Sequence, residues 1–186
     1  MQEAVASPLA GWESFYVIVG SSAGALTGLQ FVVITLIAER RAARSMREVR
    51  AFGTPTVMHF CAALLISAIL SAPWTRLQGP VVILAASGLA GVIYALTVIR
   101  HARLQSGYSP EASDWFWYAA LPLAAYAALF GATVALSHRP ALWLYAIAVI
   151  TLVLLFIGIH NSWDTVTYIA IEDEGAKNAV NRSPAS

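Results

Sequence analysis

Five side chains in an otherwise apolar sequence are of types that could do chemistry: Gln30, His59, His160, Asn161 and Asp164. Histidine exchanges protons near neutral pH, a carboxylate can pair with it, and an amide both donates and accepts hydrogen bonds. His160 and Asp164 are spaced i, i+4 and share one helical face. Polar groups in hydrocarbon are costly, so they face a protein interior or a water-filled cavity. Three arrangements are open on residue type alone: a hydrogen-bond network that holds helices together, a hydrated vestibule or proton relay, and a metal or haem site. A metal held by His59, His160 and Asp164 would need a further ligand in tetrahedral placement, and haem would need the two imidazoles at similar depth. No metal or cofactor is assigned. The sequence carries no glycine-rich phosphate loop, no nucleophile elbow and no HExxH, and points away from an enzyme.

The elements that must position these side chains follow from composition. The 186-residue chain is 59% hydrophobic and 11% charged, with a mean hydropathy of +0.68. Soluble domains carry about 25% charged residues, so the expected solvent is a bilayer. Asp, Glu, Lys and Arg are absent from five runs: Ser14 to Ala38, Ala51 to Thr75, Leu77 to Ile99, Trp115 to His138 and Pro140 to Trp163. Each is long enough for the roughly 20 residues of a spanning helix. The predicted fold is all-α, a single five-helix transmembrane domain over residues 1–171. Its spans lie near 14–38, 55–75, 80–99, 115–137 and 141–163. A helical extension is expected to about 171 and a disordered polar tail over 172–186. Gly53 and Pro55 are expected to start the second span, Pro122 to disturb the fourth, and the short turn SAPWTRLQGP to make the second and third helices antiparallel neighbours.

Charge sets the expected orientation. Of eleven Lys and Arg residues, nine fall in alternate connections: Arg40, Arg41, Arg44, Arg47, Arg50, Arg100, Arg103, Lys177 and Arg182. The positive-inside rule then places the N-terminus outside and the C-terminus in the cytoplasm, in a bacterial inner membrane. The first run lacks preceding basic residues and is too long for a signal-peptide core. Aromatic residues cluster where the runs would cross the headgroups: Trp12, Phe15, Tyr16, Trp74 and Trp143 outside, Trp115, Trp117, Trp163 and Tyr168 inside. With this topology Gln30, His59 and His160 all lie in the cytoplasmic half, about 6, 7 and 12 Å from mid-span at 1.5 Å per residue. A cytoplasm-facing polar cluster of Gln30, His59, His160, Asn161 and Asp164 is therefore expected. Arg40, Arg41, Arg44, Arg47 and Arg50 could contact anionic headgroups, at about 1 kcal/mol each. Nucleic acid is not an expected partner, since no domain accompanies the basic residues to read bases.

The stretch GSSAGALTG puts Gly20, Gly24 and Gly28 on one face of the first helix, with Thr27 beside them. Glycine costs up to about 1 kcal/mol per helical position relative to alanine, so a stripe of it implies that something approaches the backbone closely. Helices in membranes associate across such small-residue faces, within one chain or between subunits. A pore lining is the other use of such a face.

The segment WESFYVIVGSSAGALTGLQFVVI, with Phe15 and Tyr16 ahead of the small-residue run, resembles small multi-pass bacterial membrane proteins of unassigned function. Some of these are labelled modulators of the protease FtsH. The resemblance covers the first span and implies a fold type with no catalytic residue to carry over; those relatives have an apolar residue at the position of Gln30. Two functions are expected. One is an inner-membrane channel or transport-like protein acting as a homo-oligomer with a cytoplasmic polar vestibule. The other is a scaffold or regulatory subunit that binds another membrane protein through its first helix. Behind these two stands a further alternative, a haem or metal redox protein.

Overall fold

The computed structural model describes residues 8–40, 45–104 and 112–182. Every element among them is helical: a short 3-10 turn at Ala10–Trp12, then α1 (Glu13–Arg40), α2 (Ser45–Ser71), α3 (Gln78–Leu104), α4 (Ala112–Trp115), a π-helical turn at Phe116–Ala120, α5 (Leu121–Ala135) and α6 (Pro140–Arg182). Backbone dihedrals stay helical through both ends of the π turn, so α4 to α5 is one rod.

Four helices are long and apolar enough to cross a membrane, over Ala10–Leu36, Gln78–Arg103, Phe116–Ala135 and Pro140–Thr167. The apolar part of α2, Pro55–Ser71, is shorter. The surface fits such a solvent. Ile18 is 66% exposed and Val82 68%, and Leu29, Phe31, Ile93, Val149 and Phe156 are exposed as well. Contiguous apolar surface of this extent marks a membrane or protein contact. The hydroxyl groups on these faces are satisfied within their own helices. Ser22, Thr35, Ser87 and Thr97, all on exposed faces, donate to the carbonyls of Ile18, Phe31, Ile83 and Ile93 four residues back, at 2.8–2.9 Å. Where no water is at hand, a hydroxyl bonds its own helix.

The packing contacts fix the helix directions. Gly20 meets Ser67 and Gly24 approaches Leu64, so α1 and α2 are antiparallel. Trp12 lies on Tyr145 and Gln30 bonds Ser162, so α1 and α6 are parallel. Gly88 meets Phe130 and Gly91 meets Tyr126, which makes α3 and α5 antiparallel. In space α1 packs on α2, α2 on α6, α6 on α5 and α5 on α3. The second and third helices do run oppositely, as the short turn requires, but they touch little. The physical reason is α3's paired glycines, Gly88 and Gly91, which let it close on α5 more tightly than any face it offers α2. The central element is α6, with 50% of its apolar span buried against 22% for α1 and α3. Around it sit one larger cluster, with Leu84, Tyr126, Leu129, Leu144 and Ile147, and a smaller one of Val19, Ala23, Phe60, Ala63 and Leu155.

Two boundaries differ from the sequence prediction, and the expected disturbance at Pro122 takes a definite form. Pro55 does not begin a helix but lies within α2, which starts at Ser45. The polar segment expected to be a tail is helical to Arg182, in keeping with its helix formers Glu172, Glu174, Ala176, Lys177 and Ala179. Pro122 follows the π turn: it has no N–H for the preceding turn, and there the ladder widens so that the Leu121 N–H donates to the Phe116 carbonyl.

The α2–α3 connection is pinned by Trp74, whose Nε1 donates to the Ile69 carbonyl at 2.6 Å while its ring covers Gly79. Trp74→Phe keeps most of the ring and removes the donor. Its expected effect is a loss of about 0.5–1 kcal/mol in thermal unfolding of the purified protein, and an unchanged melting temperature would show that the bond contributes nothing.

Candidate functional site

The polar residues are distributed by helix rotation. His59 and Phe60 are successive on α2, and at about 100° per residue they serve different neighbours. Phe60 turns to α6, where its ring lies against Gly158; a Cβ there would stand 2.5 Å from Phe60 Cε1. His59, 2% exposed, turns to α5, with Nδ1 3.0 Å from the Tyr126 hydroxyl. One turn beyond Gly158 on α6, the Ser162 hydroxyl donates to Gln30 Oε1 of α1 at 3.1 Å. Gln30 is buried, as are Thr56, one turn from His59, and Asn161, which is 0% exposed. Because α2 runs antiparallel to α1 and α6, the contacts Phe60–Gly158 and Gln30–Ser162 bring Gln30, Thr56, Asn161 and Ser162 to one level. His59 and Tyr126 continue that layer into α5.

Asn161 is the exception within it. Both its Nδ2 and its Oδ1 are buried without a hydrogen-bond partner among the described residues. Each unmet polar atom carries a desolvation cost of about 1–3 kcal/mol. The Thr165 hydroxyl donates to the Asn161 backbone carbonyl at 2.8 Å, which leaves the side chain unmet.

His160 and Asp164 leave the layer. The His160 ring stacks on Trp117, in the π turn, with centroids 3.8 Å apart and planes 10° from parallel. Its Nδ1 stands 3.2 Å from Asp164 Oδ2, within ion-pair range when the imidazole is protonated. The approach is too oblique for a hydrogen bond, and Nδ1 has none. The Asp164 side chain is 43% exposed, so this pair opens to the surroundings whereas the layer does not. The i, i+4 spacing thus brings His160 and Asp164 together. It separates them from Asn161, because consecutive residues of one helix cannot face one neighbour. His59 and His160 meet the α4–α5 rod at separate points, Tyr126 and Trp117, and among the described residues no three of His, Cys, Asp and Glu converge.

The glycine stripe divides. A Cβ on Gly20 would lie 3.0 Å from Ser67 Cβ, on Gly24 3.9 Å from Leu64 Cδ1, and on Gly28 within 4 Å of nothing. Gly20 therefore serves a contact with α2 of the same chain, Gly24 is in ordinary contact, and Gly28 meets nothing among the described residues. Thr27, half-buried, donates to the Ala23 carbonyl at 2.8 Å. The expected headgroup contacts of Arg40, Arg41, Arg44, Arg47 and Arg50 lie outside the described residues and side chains.

Tyr126, Thr56 and Ser162 complete the layer without having been predicted for it. Tyr126 reads as a packed tyrosine within a span with its hydroxyl bonded, but the sequence names no partner for it, and the hydroxyls of Thr56 and Ser162 fit a helix interior as readily as a site. Gly158 stands alone, three residues before Asn161, and lacks the repeated spacing that marked Gly20. No family model, curated protein or solved structure matches this chain.

Proposed function

We propose that this chain is a small polytopic protein of a bacterial inner membrane, with its N-terminus outside and its C-terminus in the cytoplasm. In this reading α1, α2, α3, the α4–α5 rod and α6 each cross the bilayer, and the protein works as an oligomeric channel or transport-like protein. Alternating helix direction supports five crossings, and α2 reaches the required length through its uncharged stretch from Ala51 to Ser71, which is helical throughout. The observation that carries the functional reading is the layer of Gln30, His59, Tyr126 and Asn161, all buried, with Ser162 half-buried beside Gln30, in which a fully buried amide has no partner among the described residues. Packing alone gives no reason to keep such a group in hydrocarbon, whereas a polar path does. His160 and Asp164 form the cytoplasmic vestibule leading to it. Five helices are few to enclose a path, which favours assembly of several copies.

The test is flux of K⁺, Na⁺, Cl⁻ and protons through the purified protein in liposomes at two pH values. Wild-type protein is expected to conduct above empty liposomes. His59→Leu is expected to lower flux by about tenfold or more, since a lost hydrogen bond of ~1–3 kcal/mol acts at ~1.4 kcal/mol per factor of ten. No flux for any of these, or flux unaltered by His59→Leu, would overturn the reading.

The open Gly28 favours a second reading, a scaffold or regulatory subunit that binds another membrane protein through α1. Beside Gly28, Leu29, Phe31 and Val32 are exposed, so the helix offers a small-residue notch with an apolar rim. The resemblance of this helix to that of labelled FtsH modulators points the same way. Gly28→Leu would abolish such an association and leave the fold of the isolated chain unaltered.

A further inference from the structure

We propose that the Asn161 layer is a binding site for one small neutral molecule that both donates and accepts hydrogen bonds, of the size class of water. The first observation is the geometry of need. Asn161 is 0% exposed, and its Nδ2 and Oδ1 both lack partners among the described residues. An occupant must accept from the one and donate to the other, which a cation or an anion cannot do together and water can. The second observation is the lining. At the level of Asn161, Gln30, Thr56 and Ser162 are uncharged, and His59 has Tyr126 as its partner. The nearest carboxylate in the sequence of α6, Asp164, lies on the flank beside His160 and is partly exposed. A dehydrated ion would find no opposite charge in the layer, whereas a neutral molecule needs none.

The third observation is access. Toward the N-terminal end of the bundle α1 and α2 close tightly, with a Gly20 Cβ only 3.0 Å from Ser67 Cβ. Toward the other end, Ser162, Thr165 and Asp164 are only half-buried and carry hydroxyl and carboxylate groups. The molecule enters from that side. Occupancy of the site stands by itself; that the resident molecule hydrates a conducting path rests on the transport reading above.

The probe is water. The wild-type protein in lipid nanodiscs is mixed briefly with H₂¹⁸O and irradiated with X-rays, and side-chain oxidation is read by mass spectrometry. Phe60 is 1% exposed and its ring lies on Gly158, three residues from Asn161, so radicals born in bulk solvent do not reach it. A resident water does. Expected are oxidation of Phe60 in the wild type, a several-fold loss of it in Asn161→Leu, and unchanged oxidation of exposed Trp163. Absence of Phe60 oxidation in the wild type, or equal oxidation in Asn161→Leu, overturns the proposal. Should Asn161→Leu fail to fold, the wild-type result decides alone. Ion flux can be absent while Phe60 labelling persists, in which case the transport reading falls and the site stands.

Discussion

Gly91→Leu is expected to destabilise the protein by about 3 kcal/mol, the upper end of the usual range for overpacking a filled interior. A Cβ at position 91 already enters the Tyr126 ring, meeting Cδ1, Cγ and Cε1, and leucine adds three carbons beyond it. The ring has nowhere to go. Tyr126 is 3% exposed and its hydroxyl is held by His59 on the far side of α5, so α3 must withdraw from α5 along the whole contact that includes Gly88 and Phe130. The gain in helix propensity on replacing glycine, up to about 1 kcal/mol, offsets only part of this. Thermal unfolding in detergent measures the cost, and Gly28→Ala and Gly131→Ala supply the contrast. A Cβ at either position meets nothing within 4 Å, so each is expected to be neutral or to stabilise by up to about 1 kcal/mol. If Gly91→Leu and Gly131→Ala shifted the melting temperature alike, the assignment of Gly91 to a close helix contact would be wrong.

Tyr126→Phe is expected to cost about 1–2 kcal/mol, because it removes the hydroxyl 3.0 Å from His59 Nδ1 and leaves a buried ring nitrogen without that partner. Shape and apolar area hardly change, so the loss reports the bond. His59→Leu alone strands the tyrosine hydroxyl in the same way. The double variant strands neither group, and its stability should lie above the sum of the two losses by about 1 kcal/mol, near the ~0.6–1.7 kcal/mol measured for bonds within membranes. Strict additivity of the two losses would show that the 3.0 Å contact carries no coupling.

These two predictions concern residues that the sequence announces very unequally. His59 stands out because an ionisable group in an apolar run has few reasons to be there, and Gln30 and Asn161 stand out likewise. Tyr126 does not, since a tyrosine among alanines and leucines is ordinary core material until its hydroxyl is seen to meet a histidine 67 positions away in sequence. Glycines mislead in the opposite sense. The regular stripe of Gly20, Gly24 and Gly28 attracts notice, yet only Gly20 is pressed by a neighbour, while Gly91 and Gly158 carry no pattern and are the ones a ring fills. Spacing states which residues share a face, and it is silent about what comes to that face.

The same division holds for the whole molecule. Local sequence determined what depends on the chain and its solvent alone. It determined that the chain is helical and apolar enough for a bilayer, where the charged connections fall, and that His160 and Asp164 share a face. Each of these follows from the helical period or from transfer free energy, both properties of short segments. Tertiary structure decided that α3 leaves α2 for α5, that α6 stands at the centre, and that Asn161 enters the interior while its neighbour His160 stacks on Trp117. Those outcomes depend on which surfaces fit, and in a membrane, where apolar faces are nearly equivalent to the lipid around them, fit between a glycine and a ring on a distant helix outweighs adjacency in sequence.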